Sequence, residues 1–256
     1  MFDQLIENGI QKIYTTDLKS QKVFIENICE KVRHMKSDII YKLGGFFVPN
    51  DDYMIKMMGN EIVMLDYDCY DAFGNCKWNG YLVFPIYNIV GEVVGLTGFH
   101  PINKLKQQES DENWDLEVYK KSSKRLFEAG NYIFSRQDIF YEARKQGYII
   151  LTDGNFDTIS ALQEGLVAGA LLGSHFSDVV ISMLKFIDII YLSVDNDEAG
   201  IKLLRQLRRY LPNVRAIMQN KYKDLDDLLK SEYKEEFLKK FEQNRKSRFN
   251  LDLVLR

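Results

Sequence analysis

Cysteine is scarce in this chain. The three present, Cys29, Cys69 and Cys76, are an odd number without C-x-x-C spacing, and His34, His100 and His175 are scattered among apolar and polar neighbours. That pattern predicts no structural zinc site; the thiols read as buried or idle groups in a reducing compartment. Charge of one sign is also lacking. With 34 Lys and Arg against 37 Asp and Glu, the formal net charge is -3, so no global field draws the chain to nucleic acid, and any such binding must come from local basic patches. Long hydrophobic runs are absent too. No segment approaches the roughly 18 apolar residues of a membrane span, and the opening MFDQLIENGIQKIYTTD has neither the basic start nor the apolar run of a signal peptide. A cytoplasmic, soluble protein with no membrane partner is expected. Neither internal repeats nor low-complexity blocks interrupt the chain.

What is present suffices for real cores: 256 residues, 46% hydrophobic and 28% charged, make one large domain or two modest ones. From Phe2 to about Leu43 the apolar positions, among them Val23, Phe24, Ile28, Val32, Ile39 and Ile40, fall at helical spacing and predict two or three helices. The runs Gly80 to Ile86 and Glu92 to Gly98, joined by Asn88-Ile-Val-Gly91, predict a β-hairpin, with Pro85 marking an edge or a bulge. Between about Pro101 and Trp114 the sequence is polar and aperiodic and reads as a mobile connection.

Beyond it strands and helices alternate. Strands are predicted at Tyr148 to Thr152, Val167 to Leu172, Ile189 to Val194 and Val214 to Met218. Helices are predicted at Phe156 to Glu164, Ser177 to Phe186 and Ala199 to Leu211, with a charged helix from Tyr233 to Lys246. Such alternation implies an α/β fold built on a parallel sheet flanked by helices, preceded here by a smaller α+β subdomain. The domain expectation is an N-terminal subdomain of helices plus hairpin over 1–105, an α/β domain over 106–230 and a helical tail over 231–256.

In an open α/β sheet the loops at the carboxyl ends of the strands open into a crevice. Three acidic elements fall there: Asp153 and Asp157 after the first strand, Asp195 and Asp197 after the third, and Asp224, Asp226 and Asp227 after the fourth. Residues two apart in an extended segment point the same way, so Asp195 and Asp197 can address one space. Singly, an aspartate at a helix start is an ordinary N-cap or dipole partner; in succession on one rim, the three elements form a cluster that needs protons or cations to offset its repulsion. Oxygen-only ligands suit magnesium or manganese, and the chemistry implied is phosphoryl transfer. The basic run Lys120, Lys121, Lys124 and Arg125, near Tyr119, Phe127 and Tyr132, has the cations and stacking surfaces of a single-strand track, although such a run is by default a solvated face.

These segments resemble the Toprim domain shared by bacterial DNA primases, topoisomerases and some nucleases. Asp153-Gly-Asn-Phe-Asp157 stands where the family has Glu-Gly-x-x-Asp, Asp195-Asn-Asp197 where it has Asp-x-Asp, and Asp224-Leu-Asp226 at the further acidic element of the primases. Upstream, Tyr81-Leu-Val-Phe-Pro-Ile is similar to the primases' Met-Phe-Pro-Ile hairpin, and Tyr119-Lys-Lys-Ser-Ser with Ile139-Phe-Tyr-Glu-Ala-Arg-Lys to the segment leading into their Toprim strand, so the likeness runs from Tyr81 to Leu229. It implies a nucleotidyltransferase that joins ribonucleoside triphosphates into primers on single-stranded DNA during replication. Asp153, Asp195 and Asp197 would be its catalytic, metal-binding acids; Asp157, Asp224 and Asp226 would support a second ion or the triphosphate. Tyr119, Lys120, Lys121, Lys124 and Arg125 would lie at the nucleotide or template surface. The implied cofactor is Mg2+ or Mn2+, and the implied partners include a replicative helicase and a separate zinc-binding primase component, since neither module is recognisable in this chain. Asp153 replaces the family's Glu, Val118 its basic residue before the tyrosine, and Phe99 an Arg at the hairpin's end. Those departures keep open a degenerate primase-like protein that binds DNA or a replication partner, and the shared acids keep open a Toprim nuclease; a topoisomerase would need a catalytic tyrosine domain for which the chain has no room.

Overall fold

The computed structural model describes residues 33–48, 69–109, 117–123, 132–172, 176–193, 197–219, 221–247, 249 and 251–255. Most of the predicted N-terminal helices therefore lie outside the described residues. The chain divides into two compact units, Met1–Phe127 and Glu128–Arg256.

In the first unit a short helix, α1 (Ser37–Lys42), leads into β1 (Phe46–Phe47), and the expected hairpin follows as β2 (Leu82–Tyr87) and β3 (Val93–Phe99). Asn88 closes it: its Oδ1 accepts the N–H groups of Val90 at 3.0 Å and Glu92 at 2.9 Å, and Gly91 takes the left-handed φ of 84°. Pro85 pairs with Leu96 of β3 but lies past the reach of β1, which meets β2 at Leu82 and Val83; the register shifts between Ile86 and Tyr87. Of the two roles expected of it the edge is the one Pro85 takes, its missing N–H falling where β1 no longer pairs, while the bulge lies just beyond it. The antiparallel sheet, ordered β1-β2-β3-β4, is completed by β4 (Tyr119–Ser123). Phe46, Val48, Trp78, Tyr81, Val83, Val93 and Leu96 pack beneath it with Cys69 and Cys76, which are buried and not disulfide-bonded.

Two expectations change here. Residues Pro101–Glu109 form a helix, α2, not a mobile connection. Pro101 sits at the helix start, where its lack of an N–H costs nothing, and the His100 ring caps it, Nδ1 accepting the Asn103 N–H at 3.2 Å. The unit boundary falls after Phe127 and not near residue 105, because β4 is laddered to β3 from Phe99↔Tyr119 to Gly95↔Ser123.

The second unit follows the predicted alternation. Its elements are β5 (Ile133–Phe134), α3 (Ile139–Gln146), β6 (Tyr148–Thr152), α4 (Asn155–Gln163), β7 (Ala168–Leu171), α5 (Asp178–Leu184), β8 (Ile189–Ser193), α6 (Glu198–Tyr210), β9 (Val214–Gln219), α7 (Leu225–Leu229), α8 (Lys234–Arg245) and β10 (Leu253–Leu255). The sheet order is β10-β9-β8-β6-β7-β5, parallel except for β5 against β7. All of β6 is buried, as the near-continuous apolar runs of a doubly covered parallel strand require. Since β6, β8 and β9 run the same way, their carboxyl ends share one rim.

Residues after 230 are not a tail. Buried Phe241 packs against Tyr148 of β6 and Tyr191 of β8, with ring centroids 5.3 and 4.8 Å away. Buried Arg215 of β9 donates to the Asn244 carbonyl at 2.6 Å and to its Oδ1 at 3.0 Å, and β10 then pairs with β9. The aromatic stripe of α8 therefore belongs to the core. Phe241→Ala is expected to destabilise the chain by about 3–5 kcal/mol, read as a lowered denaturation midpoint; an unchanged midpoint would mean that α8 is detached after all.

Candidate active site

The rim is built from the strand ends outward. Thr152, the last residue of β6, is fully buried, and its Oγ1 donates to the Gly154 carbonyl at 2.9 Å and shares a 2.8 Å hydrogen bond with the Thr158 hydroxyl. This ties the strand end to the first turn of α4. It leaves Asp153 exposed at the bend and sends Asp157 inward, where it is 7% exposed. Gly154 makes room for it: a Cβ there would stand 2.4 Å from Asp157 Oδ2, so any other residue would displace the carboxylate.

Past β8, Asp195 lies outside the described residues. Asp197 is exposed and caps α6, its Oδ1 accepting the Gly200 N–H at 2.7 Å. Past β9, Asp224 caps α7 in the same way, accepting the Asp227 N–H at 2.8 Å. The ordinary capping role is thus real for both residues, and it takes one oxygen of each. Asp226 turns inward to 5% exposure. Its N–H donates to Asp157 Oδ1 at 2.8 Å, its Oδ1 accepts the Ser160 hydroxyl, and its Oδ2 meets the Lys230 ammonium at 2.7 Å. The first and third acidic elements are therefore joined, α4 against α7, and four of the predicted acids come together: Asp153, Asp157, Asp224 and Asp226.

Burial pushes the Asp157 carboxyl up to about 7. The Asp226 N–H works against this, and the charges of Asp224, Asp153 and Asp226 add to the rise. Asp227 moves in the same direction, through burial and then through Asp224 and Asp226.

Sequence reasoning missed Lys230 and Ser160 as parts of this site; Gly154 was part of the Asp153-Gly-Asn-Phe-Asp157 motif, and the room it leaves for Asp157 shows only in the structure. Lys230 had a signal, the i, i+4 spacing from Asp226 on a helix; Ser160, 66 residues from its partner, had none. Among the described residues, no three His, Cys, Asp or Glu side chains are grouped so as to hold a metal ion. The donors do fit a hard cation in kind, being carboxylate oxygens on an exposed rim at Asp153 and Asp197.

Of the predicted template residues, Tyr119 is half exposed on β4 of the first unit. Arg33 donates to its hydroxyl, with the guanidinium 5.8 Å from the ring centroid. Lys120 and Lys121 continue β4, while Lys124 and Arg125 lie outside the described residues. At the two departures in this region, Val118 and Phe99 are both buried.

The state of Asp157 sets a pH dependence. An unfolded aspartate ionises near 3.9, whereas the folded one holds its proton up to about 7. The folded chain therefore binds more protons over that interval, and its stability falls as pH rises. The contribution of protonated Asp157 is complete below about pH 4 and lost as pH passes through about 7. In metal-free buffer the wild-type Tm should decline between these values, and Asp157→Asn should flatten the decline. Parallel profiles in the two proteins would falsify the assignment.

Comparison with known proteins bears on this arrangement. A family model described as Toprim-like matches residues 150–229, from β6 to the end of α7. The DNA primase of Thermotoga maritima is 28% identical over 177 residues, covering 67% of this chain; the match spans 29% of that protein's length. Among solved structures, the Escherichia coli primase catalytic core superposes with a TM-score of 0.70 at 21% identity, over 95% of this chain and 80% of that one. A DnaG primase catalytic domain bound to single-stranded DNA gives 0.72 at 19% identity, over 94% of this chain and 80% of that one. At these identities the structural likeness is one of fold. Residues 150–229 thus match a Toprim-like family model, within a chain that has the fold of DNA primase catalytic cores.

Proposed function

We propose that this chain is the polymerising core of a DNA primase, a nucleotidyltransferase that makes short RNA primers on single-stranded DNA. The observation that supports the proposal is the joining of the acidic elements after β6 and β9 through the Asp226 N–H and Asp157, within a fold whose β8 ends on the same rim ahead of Asp197. In this reading the primer 3′-hydroxyl attacks the α-phosphorus of a ribonucleoside triphosphate, a phosphodiester bond forms, and pyrophosphate leaves. Asp153, Asp195 and Asp197 would hold Mg2+ or Mn2+, which when bound supplies charge to offset the triphosphate and acidify the attacking hydroxyl. Asp224, with one oxygen engaged as a cap, would assist them through the other, and Asp157 and Asp226 would support the rim from the buried side. Tyr119 with Lys120, Lys121, Lys124 and Arg125 would bind the template, cations on phosphates and the ring on a base. A replicative helicase and a zinc-binding component would supply recruitment and recognition.

A second reading has an observation behind it. Phe99 and Val118 are buried apolar residues where primases carry basic ones, which favours a protein that binds DNA or a replication partner without polymerising. One assay separates the readings: the full chain with single-stranded DNA, ribonucleotides and magnesium or manganese, beside Asp195→Asn and Asp197→Asn. Template-dependent oligoribonucleotides, reduced about 100-fold or more in each variant, are expected. Cleaved DNA would show a nuclease. Retained DNA binding with no synthesis, even with helicase and zinc partners added, would establish the non-catalytic reading.

A further inference from the structure

The described aspartates at the strand ends, Asp153, Asp157, Asp197, Asp224 and Asp226, carry charge enough to call for more than one cation. Two of those carboxylates, however, are already occupied by the protein. Asp226 and Asp157 are 5% and 7% exposed. Both oxygens of Asp226 are engaged, Oδ1 by the Ser160 hydroxyl and Oδ2 by the Lys230 ammonium at 2.7 Å. Asp157 Oδ1 takes the Asp226 N–H, and its Oδ2 rests in the space that Gly154 leaves.

We propose that Lys230 is a built-in counter-ion standing where a second cation would otherwise be needed, and that Asp226 and Asp157 are positioning residues that brace the Asp224 turn against the Asp153 strand end. This rests on the reading of the rim as a divalent-metal site. The reasoning is electrostatic. Adjacent buried carboxylates are tolerated when a positive charge, a proton or hydrogen bonds satisfy them, and either a diffusible divalent ion or a tethered ammonium can offset the single charge of Asp226. They differ in entropy: Lys230 leaves the turn after α7 one helical turn beyond Asp226, so its ammonium is delivered by the fold and needs no free metal. Ser160 engages the other oxygen, so a metal at Asp226 would have to compete with a protein partner at both. The third acidic element then reaches metal through Asp224, and the corner between α4 and α7 keeps its shape when metal is stripped away.

The test counts metal and reads stability separately. Mn2+ binding to the full chain is measured by titration with electron paramagnetic resonance detection, and Tm is measured with and without Mn2+, for the wild type and for Asp226→Asn, Lys230→Met, Lys230→Arg and Asp197→Asn. Asp197→Asn should weaken Mn2+ binding about tenfold or more. Asp226→Asn should leave the number and affinity of bound Mn2+ within about twofold of wild type while lowering the metal-free Tm. Lys230→Met should lower the metal-free Tm and make it rise with added Mn2+, as the uncovered Asp226 recruits the ion; Lys230→Arg should restore wild-type behaviour. A merely structural lysine would not create that metal dependence. Loss of a Mn2+ ion in Asp226→Asn, or a Lys230→Met protein with wild-type Tm and no Mn2+ response, would overturn the proposal. If Asp226→Asn does not fold, the two Lys230 variants decide it alone. Absence of Mn2+ binding in the wild type would instead defeat the metal reading of the rim, and the metal-free loss at Lys230→Met with rescue by Lys230→Arg would still decide the brace.

Discussion

Carboxylates crowded at the end of a parallel sheet repel one another, and the rest of the rim follows from how that repulsion is met. The structure uses a different device at each place. Asp197 and Asp224 are set against the N–H groups opening α6 and α7, where helix dipoles favour negative charge. Asp157 is pushed toward its protonated form by burial beside three other aspartates. Asp226 is neutralised by an ammonium on its own helix. Asp153 lies on the exposed bend after β6. The same pattern of charge is thus tolerated through dipole, proton and counter-ion, and the groups facing solvent are those that the proposed chemistry needs there.

The parallel sheet was legible because burial on both faces makes its strands nearly continuous apolar runs. Tyr148 to Thr152 coincides with β6, and the strand read at Ile189 differs from β8 by one residue. The hairpin was legible from Asn88 and Gly91, whose turn chemistry is local. Helix α2 was not, because its polar residues leave no apolar stripe and its cap is a histidine ring. Nor was β4, a lysine-bearing strand that closes the first sheet and so reads as solvated surface. The role of α8 lies in contacts across the fold, from Phe241 to Tyr148 and Tyr191 and from Arg215 to Asn244, which no local pattern announces. In the site, spacing could find the acids, but only tertiary structure shows which of them turn inward.

The first unit adds a constraint of its own. Its sheet buries Phe99 and Val118, so the proposed template surface would draw its positive charge from the basic run that follows. The basic run starts on β4, opposite Gly98 and Thr97 of β3, giving its first two lysines a fixed backbone register on the sheet. Tyr119, tied to Arg33, begins that strand.

Gly154, Ser160, Asp226 and Lys230 touch one another through Asp157 or directly. Evolutionary drift at these positions is therefore not independent. A larger residue at 154 displaces a carboxylate, loss of Lys230 leaves the Asp226 charge uncompensated, and loss of Ser160 removes a hydrogen bond from it, so each substitution is harmful until another accompanies it. Among descendants of this sequence the four positions should change as a set or not at all, while neighbouring solvent-facing positions such as Lys223 and Asp227 vary freely.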